Sequence, residues 1–235
     1  MMKRLLAFLL AFIIFLAVSG CSKAEETEEY TFFGLNTVIN FKGPASAEME
    51  IETLIGEYEK LLSVTIETSD IYKINSEKTA AVSDITANAI NDATEISKIT
   101  DGAFDFTLLP ISKAWGFTSS EYHTPDKTAI AALLKNTGYE NVKVTGNEVS
   151  IPEGFMIDLG GIAKGIITDK VAKLLTDRKV KGALISIGGN VYAHGTKNDK
   201  KWNVAIQNPY SDGTIGSVAV SDMAVITSGG YERKF

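Results

Sequence analysis

The chain has 235 residues, 45% hydrophobic and 22% charged, and its 29 acidic and 23 basic side chains leave a net charge of −6. An acidic surface argues against nucleic acid as a partner. The single cysteine, Cys21, excludes an internal disulfide, a cysteine-based metal site and a cysteine nucleophile in the folded part, so the fold must stand on its hydrophobic core.

The first element in chain order is an export signal. Lys3 and Arg4 form its charged region, Leu5 to Val18 its apolar region, and Val18-Ser19-Gly20-Cys21 a small-residue cleavage site ending in cysteine. This is the pattern of a bacterial lipoprotein: residues 1–20 are removed, and Cys21 is acylated and tethers the mature chain to a membrane surface. An uncleaved anchor is disfavoured because the apolar run is short for a spanning helix. Losing Lys3 and Arg4 takes the net charge from −6 to −8. Residues 21–29 read as the acylated cysteine and a solvated acidic tether. Residues 30–235 remain for one substantial domain or two small ones.

Tyr30 to Lys42 is rich in aromatic and β-branched residues and predicts a strand or a bulged strand pair. Ile51, Leu54, Ile55, Tyr58, Leu61 and Leu62 follow helical spacing. Ser63 to Asn75 shows no sustained period and is expected to cross an exposed edge. Thr86 to Thr100 predicts a second helix with Ala89, Ala93 and Ile96 on its buried face and Gly102 past its end. Asp101 to Phe117 follows neither period, as a functional loop or buried irregular segment does. Thr124-Pro125-Asp126 reads as a helix start with threonine as cap and proline at the first position, and Gly138 as that helix's end. Tyr139 to Val144 and Glu148 to Ile151 flank Thr145-Gly146-Asn147 as a hairpin. Ala183 to Ile187 and Val191 to His194 are strands joined through Gly188-Gly189-Asn190, and Trp202 to Ile206 and Ser217 to Thr227 are further strands. The expected class is α+β, a mixed, largely antiparallel sheet with packed helices.

Phe155 to Leu175 reads as a short buried strand, a glycine loop and a helix with a lysine in its first turn. An anion at such a helix start meets unpaired N–H groups and the positive end of the dipole. Gly160, Gly161 and Gly165 permit close backbone approach, and Lys164 adds a full charge. Asp158 beside that anion calls for a donor or a cation, which suggests nucleoside recognition or a bound metal. Two known phosphate motifs do not fit: Ile166 and Ile167 stand where the Walker pattern needs Lys and Ser or Thr, and the Gly-x-Gly-x-x-Gly fingerprint is absent. An ordinary tight turn is the alternative.

Other chemistry is sparse. His123 and His194 lie far apart with no ligand spacing around them, which argues against a metal pair. Ser186 and Ser228 sit near glycines without a Gly-x-Ser-x-Gly motif, which argues against a serine hydrolase. Asp105 and Asp158 stand in apolar runs, where each needs a buried partner, a ligand or a backbone group to cap.

Taken together, the segments resemble the ApbE family of FAD:protein FMN transferases. The residues that carry the resemblance are Leu35-Asn36-Thr37, Ser69-Asp70-Ile71 to Asn75, Gly102-Ala103-Phe104-Asp105 leading to Trp115-Gly116-Phe117, Ile157 to Gly165, Ile187-Gly188-Gly189-Asn190, and Ser228 to Arg233. The resemblance implies a T-fold-like α+β domain in which FAD lies in a cleft with Mg²⁺ by its pyrophosphate. By position, Ala103, Phe104 and Asp105 are then expected to line the flavin or adenine pocket, Asp158 to contact the nucleotide, Lys164 to hold FAD, and the Gly161 carbonyl to be one metal ligand. Leu35 stands where the family has a flavin-contacting methionine, and Thr65 roughly where many members have an aromatic residue. The implied reaction is attack of an acceptor threonine on the FMN-side phosphorus with release of AMP. The acceptor is expected in a membrane redox system, and the enzyme at the outer face of the bacterial cell membrane on its lipid anchor. The alternative is an FAD-binding or FAD-hydrolysing lipoprotein without transferase activity. Family members continue into a His-x-Ile-x-Asp-Pro element and an Asp-x-x-Thr metal motif, so the catalytic and remaining metal groups are expected beyond Phe235.

Overall fold

Strands β1 (Thr27–Gly34) and β2 (Thr37–Pro44) form an antiparallel hairpin in the computed structural model, which describes residues 27–119 and 121–229. The signal at 1–20, Cys21 and residues 230–233 lie outside the described residues. β1 begins at Thr27, inside the stretch expected to be tether, because it pairs with β2 over its full length. Glu29 forms an ion pair with Lys42, and that hydrogen bond holds the Glu29 carboxyl below its ordinary range.

Helix α1 (Ala45–Leu62) follows and buries Ile51, Ile55, Tyr58 and Leu62 as its spacing predicts. The expected exposed edge after it is instead helix α2 (Asp70–Glu77), capped by Ser69, whose hydroxyl accepts from the Tyr72 N–H. Asp70, Ile71 and Ile74 are buried. Two turns of helix are too few to display a period, so the cap was the available signal. Strand β3 (Thr79–Ala81) leads into helix α3 (Asp84–Ile99), with Ser83 as its cap. Ala89 and Ala93 are fully buried, but Ile96 is 38% exposed and departs from the predicted buried face.

The 101–117 segment is irregular apart from the short helix α4 (Leu109–Ala114). Helix α5 (Lys127–Leu133) is capped by Asp126, not Thr124: the carboxylate accepts from the Thr128 N–H at 2.7 Å, which puts Pro125 outside the helix. It continues as a 3-10 turn, Leu134–Asn136, that stops short of Gly138. Strands β4 (Lys143–Thr145) and β5 (Glu148–Ser150) make the expected hairpin, but Tyr139–Asn141, expected as part of its first strand, is a 3-10 turn; β5 also pairs with β3 to complete a three-stranded sheet.

Helix α6 (Gly160–Asp177) is followed by β6 (Gly182–Ile187) and β7 (Asn190–Gly195), joined by Gly188-Gly189 with both φ values positive. After β8 (Trp202–Gln207), the single strand expected over 217–227 is two, β9 (Thr214–Val220) and β10 (Met223–Ile226). The chain breaks at Asp222, whose φ is 51° and whose carboxylate accepts from the Gly195 N–H at 2.7 Å. That change of direction sends β9 to β8 and β10 to β7.

The larger sheet has the order β1-β2-β6-β7-β10, every neighbour antiparallel. Its inward residues alternate: Ala183, Ile185 and Ile187 of β6 join the main core with Ile39, Phe41, Ile51, Ile55, Ile167 and Val171, so α1 and α6 cover one face. On the other face Leu184 packs with Ala193, Trp202, Val204 and Val220 beneath the β8–β9 hairpin. The α+β expectation holds.

Candidate functional site

Ile157 and Leu159, both fully buried, pin the approach to α6 to the core. The predicted strand there is not formed; a lone parallel bridge joins Leu108 to Met156. The backbone is paired instead with a side chain. Asn75 donates from Nδ2 to the Ile157 carbonyl at 2.9 Å and accepts the Ile157 N–H at 2.7 Å, the two bonds a neighbouring strand would make. Lys78 adds bonds from Nζ to the carbonyls of Asn75 and Phe155. Behind them, the buried Asp70 Oδ2 accepts from the Ser83 N–H, the Ser83 hydroxyl and the Thr86 hydroxyl, locking the start of α3 to the start of α2.

The predicted glycine loop is part of α6: Gly160 and Gly161 are in its first turn and Lys164 in its second. Glycines at a helix start resemble a loop in sequence because they weaken helix propensity. Asp158 Oδ1 accepts the Gly160 N–H at 2.8 Å, so one carboxylate oxygen caps the helix start. Gly161 is closely packed: a Cβ there would lie 2.8 Å from Cε2 of Phe104, so the ring would have to shift. Phe104 thus rests on the first turn of α6, and its neighbour Phe106 accepts the Asp158 N–H from its carbonyl at 2.8 Å.

A cleft of about 730 Å³ opens at this helix start. One wall is α6 with Gly160, Gly161 and Lys164, another is the C-terminal half of α3 with Ile96 and Ile99, and the Gly188–Gly189 turn with Asn190 closes it. Gly188 is a required glycine, since a Cβ would meet the Thr37 hydroxyl at 2.6 Å. The β6–β7 turn therefore abuts the β1–β2 turn. Asn190 is 6% exposed and donates from Nδ2 to Thr168 Oγ1 at 3.1 Å, while Thr168 itself donates to the Lys164 carbonyl at 2.7 Å. Nδ2 also lies 3.5 Å from the Lys164 carbonyl, so both neighbours of that amide nitrogen act as acceptors, which fixes the amide orientation. Asn190 Oδ1 is buried and has no partner among the described residues.

Of the residues singled out from sequence, Gly160, Gly161, Lys164, Gly165 and Ser228 line the cleft, together with the Gly188-Gly189-Asn190 turn. Phe104 and Asp158 touch its Gly161 and Gly160 edge. Asp105 is half-buried and accepts the Thr107 N–H and hydroxyl, the capping alternative to a ligand contact, and Ala103 is exposed beside Phe104. Leu35 is half-buried at the β1–β2 turn with φ 53°, its N–H donating to Glu59. Thr65 is exposed and bonded to the Ser63 hydroxyl oxygen, and it is not among the residues lining the cleft.

Sequence reasoning missed the acidic rim. Asp92, Glu95 and Asp169 line the cleft with Lys164. No sequence signal marks these three, since charge on a helical surface is ordinary. A phosphate entering this cleft meets one lysine and the α6 N-terminus against three carboxylates, so it is best accommodated together with a cation. Among the described residues no group of three or more His, Cys, Asp or Glu could hold a metal ion. Gly161 contributes one carbonyl oxygen where Mg²⁺ takes six ligands, so the described residues alone do not fit a protein-held Mg²⁺.

Residues 31–235 match the model of the ApbE family. A curated relative from Klebsiella pneumoniae, an FAD:protein FMN transferase, is 34% identical over 77% of this chain and 58% of its own length. One of the same name from Vibrio cholerae is 29% identical over 97% of this chain and 73% of its own. Among solved structures, the ApbE protein of Thermotoga maritima superposes with a TM-score of 0.84 at 31% identity, covering 89% of this chain and 72% of that one. The apo flavinyl transferase ApbE of Pseudomonas stutzeri gives 0.79 at 26% identity, covering 90% and 73%. The chain spans 58% of the length of each of the first two curated relatives.

Proposed function

Because this chain belongs to the ApbE family, we propose that it takes part in transfer of FMN from FAD to a threonine of an acceptor protein, with release of AMP. The observation that carries this reading is the cleft at the start of α6, where Gly161 and Lys164 from one segment of the resemblance meet Gly188, Gly189 and Asn190 from another. Residues far apart in sequence converge on one concave site of ligand size.

In this reading the FAD pyrophosphate lies at the first turn of α6. The helix dipole and the Lys164 ammonium stabilise its charge, and Gly160 and Gly161 allow the close approach. Phe104, seated on Gly161, offers a ring face to a flavin or adenine, flanked by Ala103 and Asp105. Asp158 keeps one oxygen on the Gly160 N–H and has the other for a nucleoside donor. Leu35 supplies apolar contact from the β1–β2 turn. The acceptor threonine oxygen forms a bond to the FMN-side phosphorus, the bond to AMP breaks, and the hydroxyl proton leaves to solvent. Mg²⁺ would lie beside the pyrophosphate with the Gly161 carbonyl as one of its ligands, and when bound it would offset phosphate charge. Acylation of Cys21 and placement at the outer face of the cell membrane, near a redox system that supplies the acceptor, complete it.

Incubation of the protein with FAD, Mg²⁺ and a threonine-containing acceptor tests the reading. Equimolar AMP and flavin-labelled acceptor are expected. AMP without labelled acceptor assigns FAD hydrolysis instead, and intact FAD overturns both.

A further inference from the structure

The two ends of the large sheet differ in charge and in what they adjoin. At one end lie the Leu35–Asn36 and Gly188–Gly189 turns and the cleft. At the other lie the start of β1 at Thr27, the end of β2 and the turn after β7. There a second groove of about 520 Å³ is lined by Lys42, Lys197, Lys200 and Lys201 over Trp202 and Leu184. Among the described residues no carboxylate lines it, in a chain whose net charge is −6. The groove is built, not incidental. Trp202 is 6% exposed, its ring lies 5.9 Å beneath the Lys197 ammonium, and its indole N–H donates to the His194 carbonyl at 3.0 Å. Lys197 and Lys200 are held as a pair by a backbone bridge across Asn198 and Asp199, both at positive φ. Of the acidic groups at this end, Glu29 is paired with Lys42, and Asp199 sits in the turn between Lys197 and Lys200.

We propose that this lysine groove is the surface on which the domain rests against an anionic lipid leaflet. The occupant follows from chain length as well as charge. Cys21 is joined to Thr27 by a stretch that reaches at most about 20 Å when fully extended. An acyl group on Cys21 therefore holds the β1 start, and the lysines next to it, close to the bilayer. At that distance each lysine gains attraction to phosphate-bearing headgroups, an effect that fades within a Debye length of roughly 10 Å. β1 then carries the chain about 25 Å away from the membrane to the Leu35–Asn36 turn. The cleft is thereby turned outward, where an acceptor segment reaches it without crossing the headgroup layer.

This inference rests on the acylation of Cys21 but is tested apart from it. The full-length processed protein is bound to vesicles of phosphatidylcholine alone or with phosphatidylglycerol, and lysine acetylation by a water-soluble reagent is followed residue by residue. Lys197, Lys200 and Lys201 are expected to react about fivefold more slowly on the anionic vesicles. The protection should be lost in high salt, with Lys98 near the cleft unchanged. Equal rates on the two vesicle types overturn the proposal. So does equal protection by inorganic phosphate at matched ionic strength, which would make the groove a small-anion subsite. A mass spectrum lacking the acyl group on Cys21 fails the tether alone, because protection on anionic vesicles is still read directly.

Discussion

The polar groups behind the cleft and those lining it are treated in opposite ways. Behind it, Asp70 collects three hydrogen bonds on one oxygen and Asn75 spends both ends of its amide on Ile157. In the lining, Asn190 Oδ1 has no partner among the described residues, and three carboxylates accompany one lysine. Saturated polar clusters stiffen a fold, and unsaturated ones leave valences that a ligand can complete. The difference separates residues that hold the cleft in shape from residues that meet what enters it.

The largest effect expected from breaking this division is at Asp70. Asp70→Ala strands the Ser83 and Thr86 donors and should cost about 3 kcal/mol, read as a lower urea midpoint. Asn75→Ala leaves the Ile157 N–H and carbonyl unpaired and should cost about 2 kcal/mol. Asn75→Asp should not restore it, because a carboxylate cannot donate to the Ile157 carbonyl. On the cleft side, Lys164→Ala should leave the urea midpoint nearly unchanged and weaken FAD binding about tenfold, or about 1.4 kcal/mol. The reverse pattern, lost stability with full FAD affinity, would move Lys164 into the scaffold. The smallest effect is at Gly161→Ala. The new methyl displaces Phe104 while raising helix propensity, so stability should shift by less than about 1 kcal/mol. FAD affinity, measured by flavin fluorescence, should still fall severalfold.

The same division explains what could be read in advance. α1 and the β6–β7 hairpin were legible because a buried face repeats in the sequence and Gly-Gly marks the turn. The two turns of α2 and the break at Asp222 were not, since neither carries a period. The 155–159 segment was misread as a strand because its apolar residues are buried, while its hydrogen-bond partner is a side chain 82 positions away. Gly161 and Lys164 were legible as a site because anion chemistry restricts residue type. Asp92, Glu95 and Asp169 were not, because helical surfaces are charged by default and only the fold brings these three to one cleft.

The location of the ligand is the central claim, and hydrogen exchange with and without FAD tests it most directly. FAD should slow exchange at residues 160–166 and 188–190 and leave the amides at 197–203, in the lysine groove, unchanged. Protection of the lysine groove with none at the start of α6 would contradict the assignment of the cleft.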